Sequence, residues 1–349
     1  MRLAELAARC GLPEPRVSVG TPLGFRTRAR LAVRGRANSP KLGLFEAGTH
    51  RVADIPRCRI HHPLVNEVAA ALRRAIRETG VAPYDERALR GDLRYAQIAV
   101  ERASERVQLV LVGNAGRADA LRPVFAELER ELGARLQGLH WNGNPARTNA
   151  ILGPHWEQIA GEPALRETIA GVDVFHPPGA FGQSGADLFE TLVARARAAV
   201  PEGARVLELF AGTGAIGLGL LGRVEHVALN ELSPHALDGL ALGIAARPVA
   251  EQARAEVLAG DAGRFADRIA TADVLIVDPP RKGLGPALSE AIAARAPARL
   301  VYVSCGLDAF LREAAAWLDA GALALESLEA FALFPYTEHA ETLAVFARR

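Results

Sequence analysis

The chain has 349 residues, half of them apolar, yet no apolar run reaches the about 18 residues that a membrane-spanning helix needs. Three scattered cysteines (Cys10, Cys58, Cys305) exclude a disulfide scaffold, and with no signal-peptide core at the N-terminus the expected location is cytoplasmic. The net charge of +1 hides an asymmetry: residues 1–110 carry 20 basic and 11 acidic side chains and the remainder 21 and 29, which points to a polyanion-facing module joined to a second domain.

The first patterned segment, FRTRARLAV (25–33), alternates strictly. Phe25, Thr27, Ala29, Leu31 and Val33 share one face of a strand, while Arg26, Arg28 and Arg30 share the other and Arg34 extends it. Guanidinium groups spaced about 6.6 Å apart on a strand suit successive phosphates of RNA or DNA. They also suit the solvated face of an edge strand. A helix opens at Pro63, with Leu64, Val68, Leu72 and Ile76 on one stripe and Gly80 as its stop. Residues 94–113 read as a β-hairpin, and a second helix carries Leu121, Phe125, Leu128 and Leu132. Strands and helices mix without alternating, so residues 1–165 are expected to form an α+β domain.

From residue 184 the rhythm changes. Ser184 is a good N-cap for a helix. The order then runs through strand ARVLELF, a glycine loop, a helix, strand HVALNE, a helix from Ser233-Pro234, and strands EVLAGD, DVLIVDPP and RLVYVSC. Residues 166–349 therefore read as a doubly wound parallel sheet, whose ligands lie at the carboxyl ends of the strands.

Gly212-x-Gly214-x-x-Gly217 fits a dinucleotide site as well as an S-adenosylmethionine site. Glu231, ending the second strand, would accept hydrogen bonds from a ribose diol in either case, and Asp261, ending the third, is placed to meet an adenine edge. The rim of the sheet also carries Asp278-Pro279-Pro280-Arg281 and Ser304-Cys305. A dehydrogenase has no evident use for a thiol and a carboxylate there.

With these elements the chain resembles the class I S-adenosylmethionine-dependent RNA uracil-5-methyltransferases. The resemblance rests on FHPPGAFGQSG (175–185), LELFAGTG (207–214), VDPPRKGLG (277–285), VYVSCGLDAFLRE (301–313) and FPYTEHAETLAVFAR (334–348), and covers roughly residues 24–349. It implies a Rossmann-like methyltransferase domain at the C-terminus, preceded by an α+β RNA-binding domain. It further implies that Gln183, Phe210, Gly212, Gly214, Glu231, Asp261 and Asp278 line the cofactor or its reaction site, that Cys305 is the nucleophile, and that Glu341 is the proton acceptor. The substrate would be a uridine in a single-stranded part of tRNA or rRNA, its flanking phosphates gripped by Arg26, Arg28 and Arg30, with Arg281 at the uracil edge or a phosphate. Phe25, Phe181 and Tyr336 are candidate stacking platforms.

The chain departs from that pattern in places. Many relatives hold a four-cysteine iron–sulfur cluster in the N-terminal half. Cys58 stands where its last ligand would be, but the other thiolates are missing, so no cluster is expected. Zinc at Cys58, His61 and His62 lacks well-spaced ligands. Gly306-Leu307 follows the cysteine where Asn-Pro is common, and Ala215 and Gly185 replace polar residues. Two alternatives remain: a methyltransferase acting on another nucleobase position, and an RNA-binding protein that keeps the fold without the activity. No self-complementary apolar stripe stands out, so a monomer is expected.

Overall fold

The computed structural model describes residues 2–147 and 149–349. The chain divides into two compact units, one formed by the residues up to Thr21, 168–175 and 185–349, the other by 22–167 and 176–184. The chain opens with helix α1 (Arg2–Arg9) and strand β1 (Arg16–Val19), which the sequence reading placed in the first domain. Both belong to the larger unit: Leu6 and Ala7 of α1 pack into its core, and β1 pairs in parallel with a strand formed by residues 323–332.

The second unit is a seven-stranded sheet with two helices. Its elements are β2 (Arg28–Arg36), β3 (Ser39–Phe45), β4 (Val52–Asp54), α2 (Pro63–Thr79), β5 (Leu93–Glu101), β6 (Arg106–Gly113), α3 (Arg122–Leu132), β7 (Leu136–Gly143) and β8 (His155–Gly161). The spatial order is β4-β3-β2-β5-β6-β7-β8, and only β6 and β7 run parallel. Period-two patterning decides which face is buried: Ala29, Leu31 and Val33 of β2 and Leu42 of β3 join Val68, Leu72 and Phe125 of the helices in one core. Helix α2 opens at Pro63 with His62 as its N-cap, the ring nitrogen accepting from Leu64 N–H at 3.3 Å, and it ends at Gly80 in the left-handed conformation.

A two-stranded hairpin, β9 (Leu165–Ile169) and β10 (Val172–His176), leads back to the larger unit. There the chain builds α4 (Ala186–Ala198), β11 (Arg205–Leu209), β12 (His226–Glu231), α5 (Pro234–Ala245), α6 (Val249–Gln252), β13 (Ala255–Ala259), β14 (Val274–Val277), α7 (Pro286–Arg295), β15 (Arg299–Ser304), α8 (Leu307–Asp319), β16 (Leu323–Ala332) and β17 (Glu341–Arg348). The sheet order is β1-β16-β17-β15-β14-β11-β12-β13. Strands β11 to β15 are parallel, and β17 is antiparallel to both β15 and β16. Val206, Val301 and Val303 face a core that includes α4 and α5, whereas Leu207, Leu300 and Tyr302 face one that includes α1, α7 and α8. The sheet is thus covered on both faces, and its strands read as near-continuous apolar runs for that reason.

Two local expectations differ. Helix α4 begins two residues after Ser184, capped by Gly185 without a side-chain bond. The glycine loop feeds only a 3-10 turn, Gly217–Leu220, rather than a helix. Among the described residues, no helix is long and apolar enough to cross a membrane.

Candidate active site

The sheet order places β11 between β12 and β14, so the connections leaving β11 and β14 diverge at this switch in strand order and open a crevice at the strands' carboxyl ends. The loop after β11 is held in a sparsely populated conformation. Phe210 has φ 62°, unusual for a side chain of its size, and Gly214 has φ 88°. A Cβ on Gly214 would lie 2.7 Å from both Leu218 and Leu240, so only glycine fits. Arg197, buried on α4, holds the underside of the loop: its guanidinium donates to the carbonyls of Ala215 (2.6 Å), Ile216 (3.1 Å) and Ala170 (2.9 Å).

Two carboxylates stand at the ends of β12 and just beyond β13. Glu231 accepts from Gly212 N–H at 2.8 Å, Leu232 N–H at 2.8 Å and Ser233 N–H at 2.7 Å, which ties the glycine loop to the next turn. Asp261 is exposed and caps its own turn, accepting from Gly263 N–H at 2.9 Å.

On the other side of β11, Asp278, Cys305 and Glu341 come together. In the register of β15 with β17, Ser304 lies opposite Thr342, and one further step sets Cys305 across from Glu341. The charge of Glu341 is felt by the other two. Burial pushes the Glu341 carboxyl up to about 7, against the pull of Arg281. Burial and the charge of Glu341 push Asp278 up to about 8. The half-buried Cys305 thiol rises to about 11, through burial first and then through Glu341 and Asp278, with Arg281 opposing. Glu208, buried as the next-to-last residue of β11, is raised to about 8 by burial and by Asp278. The crevice is therefore crowded with carboxyl groups short of a counter-charge.

The loop carrying Asp278 to Arg281 is fixed from beneath. Glu313 of α8, 4% exposed, accepts from Leu284 N–H at 2.9 Å and from Tyr302 O–H at 2.6 Å. Gly306 explains its own departure from Asn: a Cβ there would meet the Arg281 carbonyl oxygen at 2.2 Å, so the cysteine turn and the Arg281 backbone pack too closely for a side chain. Arg281 is exposed, with Nη1 3.4 Å from His339 Nε2.

The structure thus gathers Phe210, Gly212, Gly214, Glu231, Asp261, Asp278, Arg281, Cys305 and Glu341 on one rim of the larger unit. Gln183 belongs to the second unit, within residues 176–184. The arginines of β2 are not one solvated row. Arg28 is turned to the buried Glu167 at 3.1 Å, Arg34 is 9% exposed, and Arg30 is exposed with Nε donating to Gln97 at 2.8 Å. Phe181 and Tyr336 are 75% and 63% exposed, whereas Phe25 is partly buried. Cys58 is the one cysteine of the second unit, its backbone held by Asn66. Among the described residues no three His, Cys, Asp or Glu side chains come together as metal ligands. Glu208, an acid in the apolar run just before the glycine turn, is legible in the sequence as a residue of an S-adenosylmethionine loop, and it is buried here. Arg197 and Glu313 escaped the sequence reading as supports of the site, because they act through partners that no local pattern announces.

Among curated proteins, the chain is 36% identical over 342 residues to an uncharacterized RNA methyltransferase of Protochlamydia amoebophila, a match covering 96% of this chain and 88% of that protein. An uncharacterized RNA methyltransferase of Parasynechococcus marenigrum is 30% identical over 337 residues, covering 94% and 70%. Among solved structures, Pyrococcus abyssi tRNA (uracil-54, C5)-methyltransferase in complex with S-adenosyl-L-homocysteine has the same fold, with a TM-score of 0.81 at 23% identity over 99% of this chain and 82% of that one. No family model matches the chain.

Proposed function

The chain belongs to the RNA methyltransferase family, as its 36% identity along almost its whole length establishes, and from that premise we propose that it methylates carbon 5 of a uridine in RNA, with S-adenosylmethionine as donor. The observation that carries this reading is the position of Cys305, one step past the Ser304–Thr342 pair of two antiparallel strands and across from Glu341, whose charge raises the thiol.

The electrostatics favour this donor over a dinucleotide. S-adenosylmethionine brings a sulfonium, an ammonium and one carboxylate, a net positive charge beside the crowded carboxyls Glu208, Asp278 and Glu341; a pyrophosphate would add two negative charges to them. Glu231 would take the ribose hydroxyls, the bent backbone at Phe210 to Gly214 would admit the donor close to the strand end, and Asp278 would face its charged end. The donor supplies a methyl group already activated for transfer.

Carbon 5 of uracil is too electron-poor to accept that methyl unaided. Cys305, as thiolate, bonds to carbon 6, and the displaced electron pair leaves carbon 5 nucleophilic. Once carbon 5 carries the methyl group, Glu341 removes its proton. The electron pair so released restores the carbon 5–carbon 6 double bond and expels the Cys305 thiolate. The target base has to leave its stack to reach the rim, which favours single-stranded RNA.

The test is a denaturing gel after incubation with S-adenosylmethionine and RNA containing 5-fluorouridine. Fluorine at carbon 5 blocks the elimination, so an RNA adduct lost in Cys305→Ala is expected. Methyl transfer to ordinary RNA with no such adduct would assign the activity to another nucleobase position. Absence of both would leave an RNA-binding protein.

A further inference from the structure

We infer that the outer face of the seven-stranded sheet is a docking groove for a single-stranded segment of the substrate RNA; the inference rests on the reading that this chain modifies RNA. Strand alternation builds the groove. Arg30, Ala32, Arg34 and Arg36 of β2 point away from the helices, and in the register of β2 with β3 Arg34 stands opposite Lys41 and Ala32 opposite Gly43. Phe45 continues that face of β3, and Tyr95 joins it from β5. The concavity they floor measures about 1530 Å3, larger than the roughly 300–1,000 Å3 of small-molecule sites.

Its charge is one-sided. Eight Arg and Lys side chains line it against three carboxylates. All three carboxylates are engaged within the fold: Glu86 by Arg34 and His50, Glu46 by Arg51, and Asp85 by the backbone N–H groups of Arg87 and Ala88. Arg36, Lys41 and Arg147 are exposed and have no carboxylate partner among the described residues. The groove also has an aromatic floor. The Arg34 guanidinium is fixed by the carbonyls of Val33 and Arg94 and lies 5.3 Å, 5.6 Å and 5.2 Å from the ring centroids of Phe45, Tyr84 and Tyr95. Phe45 nevertheless keeps 38% of its surface exposed, beside Leu44 at 47% and Leu89 at 39%.

Unpaired cations beside an exposed, propped ring are the components that hold a single strand, phosphates on the former and a base on the latter. A duplex hides its bases from such a floor and is read by elements that protrude into its grooves, not by a concavity. An acidic polypeptide would satisfy the cations but has no flat π-face to offer Phe45.

The experiment measures binding of a 12-nucleotide RNA, its duplex, and polyglutamate as competitor across a salt series. Replacing Arg36, Lys41 and Arg147 together with Ala should lower the slope of log affinity against log salt by about 2, at about 0.7 per phosphate contact. Phe45→Ala should weaken the single strand roughly five- to hundredfold and leave the duplex unaffected; Phe45→Leu, which keeps the volume, serves the same purpose if the Ala variant does not fold. An unchanged slope, equal loss for duplex and single strand, or displacement of RNA by polyglutamate at equal charge would overturn the groove. The fluorouridine adduct reports separately: an adduct with an unchanged slope sinks the groove alone, and a reduced slope without an adduct sinks the carbon 5 reading alone.

Discussion

Replacing Glu341 with Gln removes one charge from the crevice while preserving shape, and the effect should appear on Cys305. The Glu341 carboxyl stands at about 7 instead of 4.5, so ionising it in place costs about 3 kcal/mol. Above that pH the carboxylate is present and opposes formation of the thiolate, which stands at about 11 rather than 9.0. Burial is the larger cause of that rise and survives the substitution, as does Asp278. The thiol should therefore fall by less than about one pH unit, which is a roughly two- to tenfold gain in thiolate at any pH between Glu341 ionisation and full thiol ionisation. Below about pH 6 the wild-type carboxyl is already neutral and the two proteins should react alike. Alkylation of Cys305 by iodoacetamide, followed by mass spectrometry of its peptide from about pH 6 to about pH 10, measures this directly. Superimposable curves for the two proteins would refute the electrostatic contact, and with it the assignment of Glu341 as the base that acts on the Cys305 adduct.

Glu208→Gln should change how stability depends on pH. Its carboxyl is raised to about 8, so the folded chain holds a proton that the unfolded chain releases above about 4.5; wild-type stability falls as pH rises from about 4.5 to about 8, and the variant should show a shallower fall, with only the share of Asp278 and Glu341 left. Parallel melting curves for the two proteins across that range would count against a buried neutral Glu208. Arg197→Ala leaves the carbonyls of Ala170, Ala215 and Ile216 without their donor and should lower unfolding free energy by about 3 kcal/mol in urea titrations. A loss below about 1 kcal/mol would mean the loop holds its shape unaided. Gly306→Ala pushes a methyl group against the Arg281 carbonyl and should lower kcat at least roughly tenfold with little change in the KM for the donor; wild-type turnover would show that the turn can give way.

The parts of this molecule that announce themselves in sequence are those set by local physics. The buried runs of β11, β12, β14 and β15 stand out because both faces of the sheet are covered. Helix α2 is legible because Pro63 and Gly80 punctuate it at both ends. The alternation of β2 correctly separates Ala29, Leu31 and Val33 from the arginines. It says nothing of what each arginine meets, because the partner of Arg28 is Glu167, 139 residues later. Cys305 and Glu341 emerged through a family resemblance rather than spacing, since only an antiparallel pairing of β15 with β17 makes them neighbours. The glycine loop promised a helix because its motif is shared with folds that have one; here Arg197 ties down the carbonyls of Ala215 and Ile216, and a 3-10 turn follows.

The parallel pairing of β1 with β16 has a consequence for how the protein is made. Arg16 finds its partner at Glu329, so at about 5–20 residues per second the ribosome needs roughly 15–60 s between synthesising one and the other. Throughout that interval Val17 and Val19 belong to an orphaned edge, available to any strand that passes. Sealing that edge is thus among the last events of biogenesis, and a fragment that starts at residue 166 would be born with the outer edge of β16 bare, its other edge held by β17.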